Sequence, residues 1–222
     1  MDERTERLTQ IARAAEQGNI EDLYRLIGED AYLLEHIDRV PFYDTPLHKA
    51  AFAGHIPFAM EMMRLMPSFA RIPNSNGFTP IHLALKEGHT KLVLQLLQVD
   101  GDLVRVKDRA CMTPLHYVAG KLDHLDLLDK LLLVCPSSIV DVTIENETAL
   151  HIALKKDNLG AFELLVRWLV SNPSKSVSFY ERTIMKWKDD DGNTVLHIAV
   201  SKNQTKASSL YSSTMKIQTN KI

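Results

Sequence analysis

One tetrapeptide pattern recurs along this 222-residue chain and constrains its fold more than any other feature. Thr45-Pro46-Leu47-His48, followed by Ala50 and Ala51, returns as Thr79-Pro80-Ile81-His82 with Ala84 and as Thr113-Pro114-Leu115-His116 with Ala119, in steps of 34 residues. It returns without proline as Thr148-Ala149-Leu150-His151 with Ala153 and as Thr194-Val195-Leu196-His197 with Ala199, after steps of 35 and 46. A degenerate first copy, Thr9-Gln10-Ile11 with Ala14 and Ala15, precedes these by 36 residues. Six copies at a nearly fixed period specify a stack of similar units, each needing a neighbour to bury its apolar face.

Each residue type in the pattern has a physical task. A Thr hydroxyl caps a free N–H at a helix start, and Pro in the first helical position has no N–H to satisfy. The alanines give a face on which two helices approach closely. Gly18, Gly54 and Gly88 stand nine residues after each Thr, where a left-handed residue ends the first helix. A second helix follows, with apolar residues at helical spacing, as in Leu92, Val93, Leu96, Leu97 and in Leu159, Phe162, Leu165, Val166. Polar, turn-rich stretches such as Asn74-Ser75-Asn76-Gly77 and Asp189-Asp190-Asp191-Gly192-Asn193 separate the copies and read as hairpin loops.

A period near 33 carrying T-P-L-H-x-A resembles the ankyrin repeat, a hairpin followed by two antiparallel helices. The resemblance covers roughly residues 5 to 202 and implies an all-α solenoid of about six repeats, with copies starting near Thr9, Thr45, Thr79, Thr113, Thr148 and Thr194. A closer likeness lies in Pro67-Ser68-Phe69-Ala70-Arg71, Leu103-Val104-Arg105-Val106-Lys107 and Asp191-Gly192-Asn193-Thr194-Val195-Leu196-His197-Ile198-Ala199. These look like plant ankyrin proteins of innate immune signalling. Members of that type carry further repeats and a hydrophobic C-terminal membrane domain, neither of which this sequence contains. The long step before the sixth copy, with segment 171–187 inserted, also resembles that family and is expected as an extension within one repeat domain, 1–202.

Departures from the pattern carry their own expectations. Tyr43 and Cys111 stand two residues before a motif Thr, where the consensus has Gly, so those hairpins are expected to be irregular. The helix-ending glycine becomes Asp157, Asn203 and, at a cost of roughly 1 kcal/mol or more, Leu122. The fourth copy is therefore expected to shift its register locally. Residues 203–222 are rich in Lys, Ser and Thr without an acid and read as a polar, disordered tail, with Ala207, Leu210, Tyr211 and Met215 sufficing for one marginal helix. On that reading the sixth copy frays and apolar surface from Leu164 to Leu169 stays partly open.

Catalytic, metal and cofactor chemistry find no support. Five of the nine histidines, His48, His82, His116, His151 and His197, share one repeat position. Packed helices lie about 8–10 Å apart, whereas zinc holds its ligands at about 2.0–2.1 Å, so these histidines do not share an ion. In ankyrin repeats this histidine bonds backbone between loops, and His55 and His89, each following a Gly, are read the same way. The acidic run at Asp189 fails as a calcium loop, because placing Gly192 correctly puts Trp187 first and Ile198 last. Cys111 and Cys135 have no C-x-x-C spacing and no nucleophile signature. The expectation is a non-enzymatic chain with no catalytic, cofactor or metal residues; an enzyme of unknown type is the remotest alternative.

What remains is a surface. The solenoid fold places hairpin tips and first-helix faces along a concave groove. In this register the groove holds Phe42, Phe52, Asn76, Phe78, Arg109, Met112 and Glu145, backed by Lys86, Lys121, Lys155, Lys156 and Lys202. Aromatic anchors beside positive charge suit a protein or peptide partner of acidic character. With 26 basic against 28 acidic residues, the net charge of −2 indicates no nucleic-acid partner. No signal peptide is visible and no apolar run is long enough to span a bilayer, so the expected location is cytoplasmic, or at the plasma membrane in the longer family form. The resemblance thus implies an interaction scaffold in plant defence or stress signalling. The alternative is a truncated competitor of longer membrane-tethered relatives.

Overall fold

The computed structural model describes residues 3–38, 43–122, 124–171 and 183–219. Phe42 and most of the 171–187 insertion lie outside the described residues. The described residues are helical, without a strand, and the chain divides into two compact units, Met1–Ala110 and Cys111–Ile222.

Unit 1 contains α1 (Glu3–Gln17), α2 (Ile20–Glu29), α3 (Leu33–Asp38), α4 (Pro46–Ala53), α5 (Ile56–Leu65), α6 (Pro80–Lys86) and α7 (Thr90–Val99). The first helices α1, α4 and α6 stack in one layer and α5 packs on α7 in the other. Unit 2 repeats the arrangement with α8 (Pro114–Ala119), α9 (Leu125–Val134), α10 (Ala149–Lys155), α11 (Leu159–Ser171), α12 (Val195–Ser201) and α13 (Thr205–Thr219). There α8, α10 and α12 form the first layer, and α9, α11 and α13 the second. Each of α5, α7 and α9 leads into a short 3₁₀ turn that buries Phe69, Leu103 with Val104, or Ile139 against its unit.

The motif alanines Ala50, Ala51, Ala84, Ala119, Ala153 and Ala199 are buried between first helices, as close helix approach requires. Gly18, Gly54 and Gly88 adopt left-handed backbone, as do Asp157 and Asn203. Residue 122 does not follow them. Helix α8 ends earlier, at Ala119 with Gly120 right-handed, and Leu122 is an exposed turn residue outside the left-handed region. The register of the fourth copy is moved at its helix end, which spares Leu122 the steric cost of a Cβ beside its own carbonyl.

Cys111 behaves otherwise. Instead of an irregular hairpin it takes φ 56°, the conformation of Gly77, Asn146 and Gly192 at the same hairpin position. A Cβ there costs roughly 1–2 kcal/mol, partly offset by the greater freedom glycine loses on folding. Cys111→Gly is therefore expected to raise the stability of the chain by about 0.5–1 kcal/mol, read from urea unfolding. An unchanged or lower midpoint would contradict this.

The C-terminal segment also differs from its composition. Thr205–Thr219 forms the helix α13, which packs on α11 and α12 and buries Ala207 and Thr214. Leu165, Val166, Trp168 and Leu169 are consequently buried, so the surface expected to be open between Leu164 and Leu169 is largely closed. Tertiary contact compensates for a stripe too thin to hold a helix by itself.

Candidate partner-binding site

The recurrent histidine shapes the surface on which any site is built. In α4 the Thr45 hydroxyl accepts from the His48 backbone N–H, while the Thr45 backbone N–H donates to His48 Nδ1 at 3.2 Å. With Nδ1 an acceptor, the ring proton sits on Nε2 and is donated to the Phe78 carbonyl of the next hairpin at 3.1 Å. His116 reaches the Glu147 carbonyl at 3.2 Å and His151 the Asn193 carbonyl at 3.3 Å in the same way. Burial holds the His48 and His116 imidazoles down at about 4, and it lowers His151 too. All three are neutral struts between a helix cap and the following hairpin.

A second set of clips works in the opposite direction. His55 Nε2 bonds the Glu16 carbonyl at 2.8 Å and His89 Nε2 the Phe52 carbonyl at 2.9 Å. In unit 2 the same position carries an amide: Asn158 Nδ2 donates to the Ala119 and Lys121 carbonyls, and Gln204 Nε2 to that of Leu154. Every such clip satisfies carbonyls left over at the end of the preceding first helix.

On this frame unit 1 forms a cleft of about 520 Å³ lined by Phe52, Asn76, Phe78 and Lys86 together with Glu16, Asp44, Lys49 and Leu83. Four residues assigned to the groove from the sequence register thus converge. Phe52 is 55% exposed, and the Lys86 ammonium lies over the Phe78 ring at 5.0 Å from its centroid. Asn74 is buried beneath, fixing the hairpin by accepting from the Asn76 and Phe78 backbone N–H groups and donating to Asp44. Lys49 pairs with Glu16 at 3.1 Å and with Asp44 at 3.8 Å. Sequence reasoning did not select Glu16, Asp44 or Lys49, because Glu16 precedes the first hairpin and the others flank a capping motif.

The remaining assigned residues are distributed differently. Arg109 is exposed beside a second unit 1 cleft that includes Pro73, Ser75, Gly77 and Lys107, and its backbone N–H donates to the Gly77 carbonyl. Met112, Lys121, Glu145, Lys155 and Lys156 belong to unit 2. Met112 and Lys121 are half-buried, while Glu145 is exposed at a hairpin tip and Lys156 at the end of α10. Lys155 is no free groove cation. Its ammonium is bound to Glu147 at 2.5 Å and to Asp189 at 2.9 Å, both of these acids being buried. Burial alone would lower the Lys155 pKa, but the two carboxylates outweigh it and hold the group well above the usual lysine range. Lys202 is likewise paired, with Asp157 at 2.6 Å. Among the described residues no cluster of His, Cys, Asp and Glu has the arrangement of a metal site, and no helix is long and apolar enough to cross a membrane.

Stacked helix pairs, five of them opened by a Thr-x-x-His cap that at His48, His116 and His151 is tied to the next hairpin, define a helical-repeat scaffold. The family "Ankyrin repeats (3 copies)" matches residues 11–108 and 115–221, and the chain belongs to it. Such repeats are generally non-catalytic modules for binding other proteins, and they mark this chain as a protein-interaction scaffold. One curated relative is the ankyrin repeat-containing protein BDA1 of Arabidopsis thaliana, 42% identical over 64 residues, which is 29% of this chain and 15% of that protein. The match thus spans only a small part of the relative's length. A solved structure titled as the Bd0816 predatory endopeptidase of Bdellovibrio bacteriovorus in complex with immunity protein Bd3460 superposes with a TM-score of 0.67 at 18% identity. It covers 92% of this chain and 97% of the matched chain, and the likeness shows the fold alone.

Proposed function

We propose that the unit 1 cleft is the principal partner-binding site of this scaffold, and that the chain serves plant defence or stress signalling in the cytoplasm. The observation that carries the site is the convergence of Phe52, Asn76, Phe78 and Lys86 around one opening. Exposed aromatic side chains over a rigid floor are the usual anchors of an interface, where two or three residues provide most of the affinity. The cleft's carboxylates and ammonium groups balance, with Glu16 and Asp44 set against Lys49 and Lys86, so recognition rests on the aromatic walls more than on net charge. The likeness to BDA1 and to plant ankyrin proteins supports the signalling context, and the formal charge of −2 supports a protein partner over a nucleic acid.

Phe52→Ala combined with Phe78→Ala tests the site. The Phe78 backbone keeps its hydrogen bonds to His48 and Asn74 in that variant, so the cap and hairpin persist. Capture of plant signalling proteins, quantified against the parent chain by pull-down and mass spectrometry, is expected to fall at least tenfold, while thermal unfolding moves by only a few degrees. Undiminished capture would place the binding surface elsewhere.

A further inference from the structure

Two cations and a hydroxyl of unit 1 take no part in the bonds that hold its repeats together. The second cleft, of about 430 Å³, opens between hairpin 73–77 and segment 107–109, and its size is that of a small-ligand site. Ser75, Lys107 and Arg109 line it, and all three are exposed. Among the described residues neither cation is paired with a carboxylate and the Ser75 hydroxyl makes no hydrogen bond, whereas Arg71 is paired with Asp100 and Lys49 with Glu16. Asp108 also lines the cleft, but its carboxylate is engaged by its own loop, with Oδ1 accepting from the Ala110 backbone N–H at 2.9 Å. The cleft thus concentrates positive charge on a chain whose net charge is −2. Its floor is fixed. Asn74 closes the hairpin by accepting from the Asn76 and Phe78 backbone N–H groups, which leaves the Ser75 side chain without a structural task. The Arg109 backbone N–H donates to the Gly77 carbonyl at 3.0 Å, and a Cβ on Gly77 would overlap that of Arg109. Glycine there lets the stem of Arg109 rest directly on the hairpin.

We propose that this second cleft is a binding site for a phosphate monoester, with Arg109, Lys107 and the Ser75 hydroxyl as its donors. At neutral pH a monoester carries close to two negative charges and three strong acceptor oxygens. The planar guanidinium of Arg109 can hold two of those oxygens side by side, and the Lys107 ammonium supplies a second full charge. A carboxylate fits less well, since one charge and two oxygens leave part of this donor set unanswered. The volume also exceeds what a phosphoryl group occupies, so the cleft accommodates part of the carrier, a phosphorylated side chain of a protein or a phosphorylated small molecule. The site shares only the buried Asn74 with the aromatic cleft and does not depend on partner binding there.

The test titrates the isotope-labelled full chain at physiological salt with two phosphorylated probes, acetyl-Gly-phosphoserine-Gly-amide and glucose 6-phosphate, and with acetyl-Gly-Glu-Gly-amide as the carboxylate control. At least one phosphorylated probe is expected to shift the resonances of Ser75, Gly77, Lys107 and Arg109 saturably, and to bind about tenfold or more tighter than the control. Tighter binding of the peptide identifies a protein side chain as the source of the phosphoryl group, and tighter binding of the sugar identifies a small molecule; equal binding means that the phosphoryl group alone is read. Arg109→Met should weaken binding about tenfold or more with thermal unfolding unchanged, because the backbone bond to Gly77 remains, and Arg109→Lys should fall between the two by keeping the charge and losing the fork. The proposal is overturned if neither phosphorylated probe binds saturably, if the carboxylate control binds as tightly, if the shifts fall outside these two segments, or if Arg109→Met binds as the parent chain does.

Discussion

Lowering the pH from 7 to 4 is expected to unfold this chain, through its buried histidines. The sign follows from proton binding. An unfolded imidazole takes up its proton near pH 6.5, while His48 and His116 resist protonation in the folded chain down to about pH 4 because burial penalises the charged ring by more than the Nε2–H bond to a backbone carbonyl favours it. Between those values the unfolded state binds more protons, so stability is fully present above about pH 6.5 and declines as pH falls toward 4. The interval corresponds to roughly 3 kcal/mol for each of the two histidines, a large part of an ordinary domain's 5–15 kcal/mol. His151 acts in the same direction. The acidic groups held below their usual range, Glu61 beside Arg64 and Asp157 beside Lys202, release their contribution only at lower pH. Urea unfolding followed from pH 7.5 to 4 should show a monotonic fall, and His116→Gln should be less stable at neutral pH with a shallower dependence on pH. A midpoint that holds level down to pH 4.5 would refute the neutral-strut assignment.

Where a role depends on position within the repeat, it was legible in the sequence. The histidines could be assigned to backbone bonding because a period of about 34 residues fixes each one against the next hairpin, and the cleft residues Phe52 and Phe78 follow from the same register. What escaped depends on partners from outside the motif. The histidine clips at positions 55 and 89 become Asn158 and Gln204 in unit 2, a change of residue type with the same hydrogen bond, which motif matching passes over. Helix α13 was hidden because its apolar stripe is thin and its surface is Ser-rich; its stability comes from α11 and α12, whose contribution is tertiary. Leu122 illustrates the converse error, since aligning it with glycine imposed a conformation that ending α8 earlier avoids.

Lys155→Met is expected to destabilise the chain by about 2–4 kcal/mol, while Lys156→Met changes it by less than about 0.5 kcal/mol. In the sequence these adjacent lysines were equivalent groove cations. In the fold they face different environments: Lys156 is exposed, whereas the Lys155 ammonium is the counter-charge to Glu147 and Asp189, whose side chains keep only 8% and 2% of their surface. The two acids come from successive hairpins, so Lys155 joins the fifth copy's own hairpin to the one that follows. Removing it leaves two nearly buried carboxylates without their cation, and the Asp189 carboxyl, now held below its usual range despite burial, should rise instead. The partial exposure of Lys155 places the loss toward the lower part of what a broken buried pair costs. Urea unfolding of both variants checks the contrast, and adding Glu147→Gln and Asp189→Asn to Lys155→Met should recover part of the loss by removing the stranded charges. If Lys155→Met is as stable as Lys156→Met, the ammonium is not holding the hairpins together.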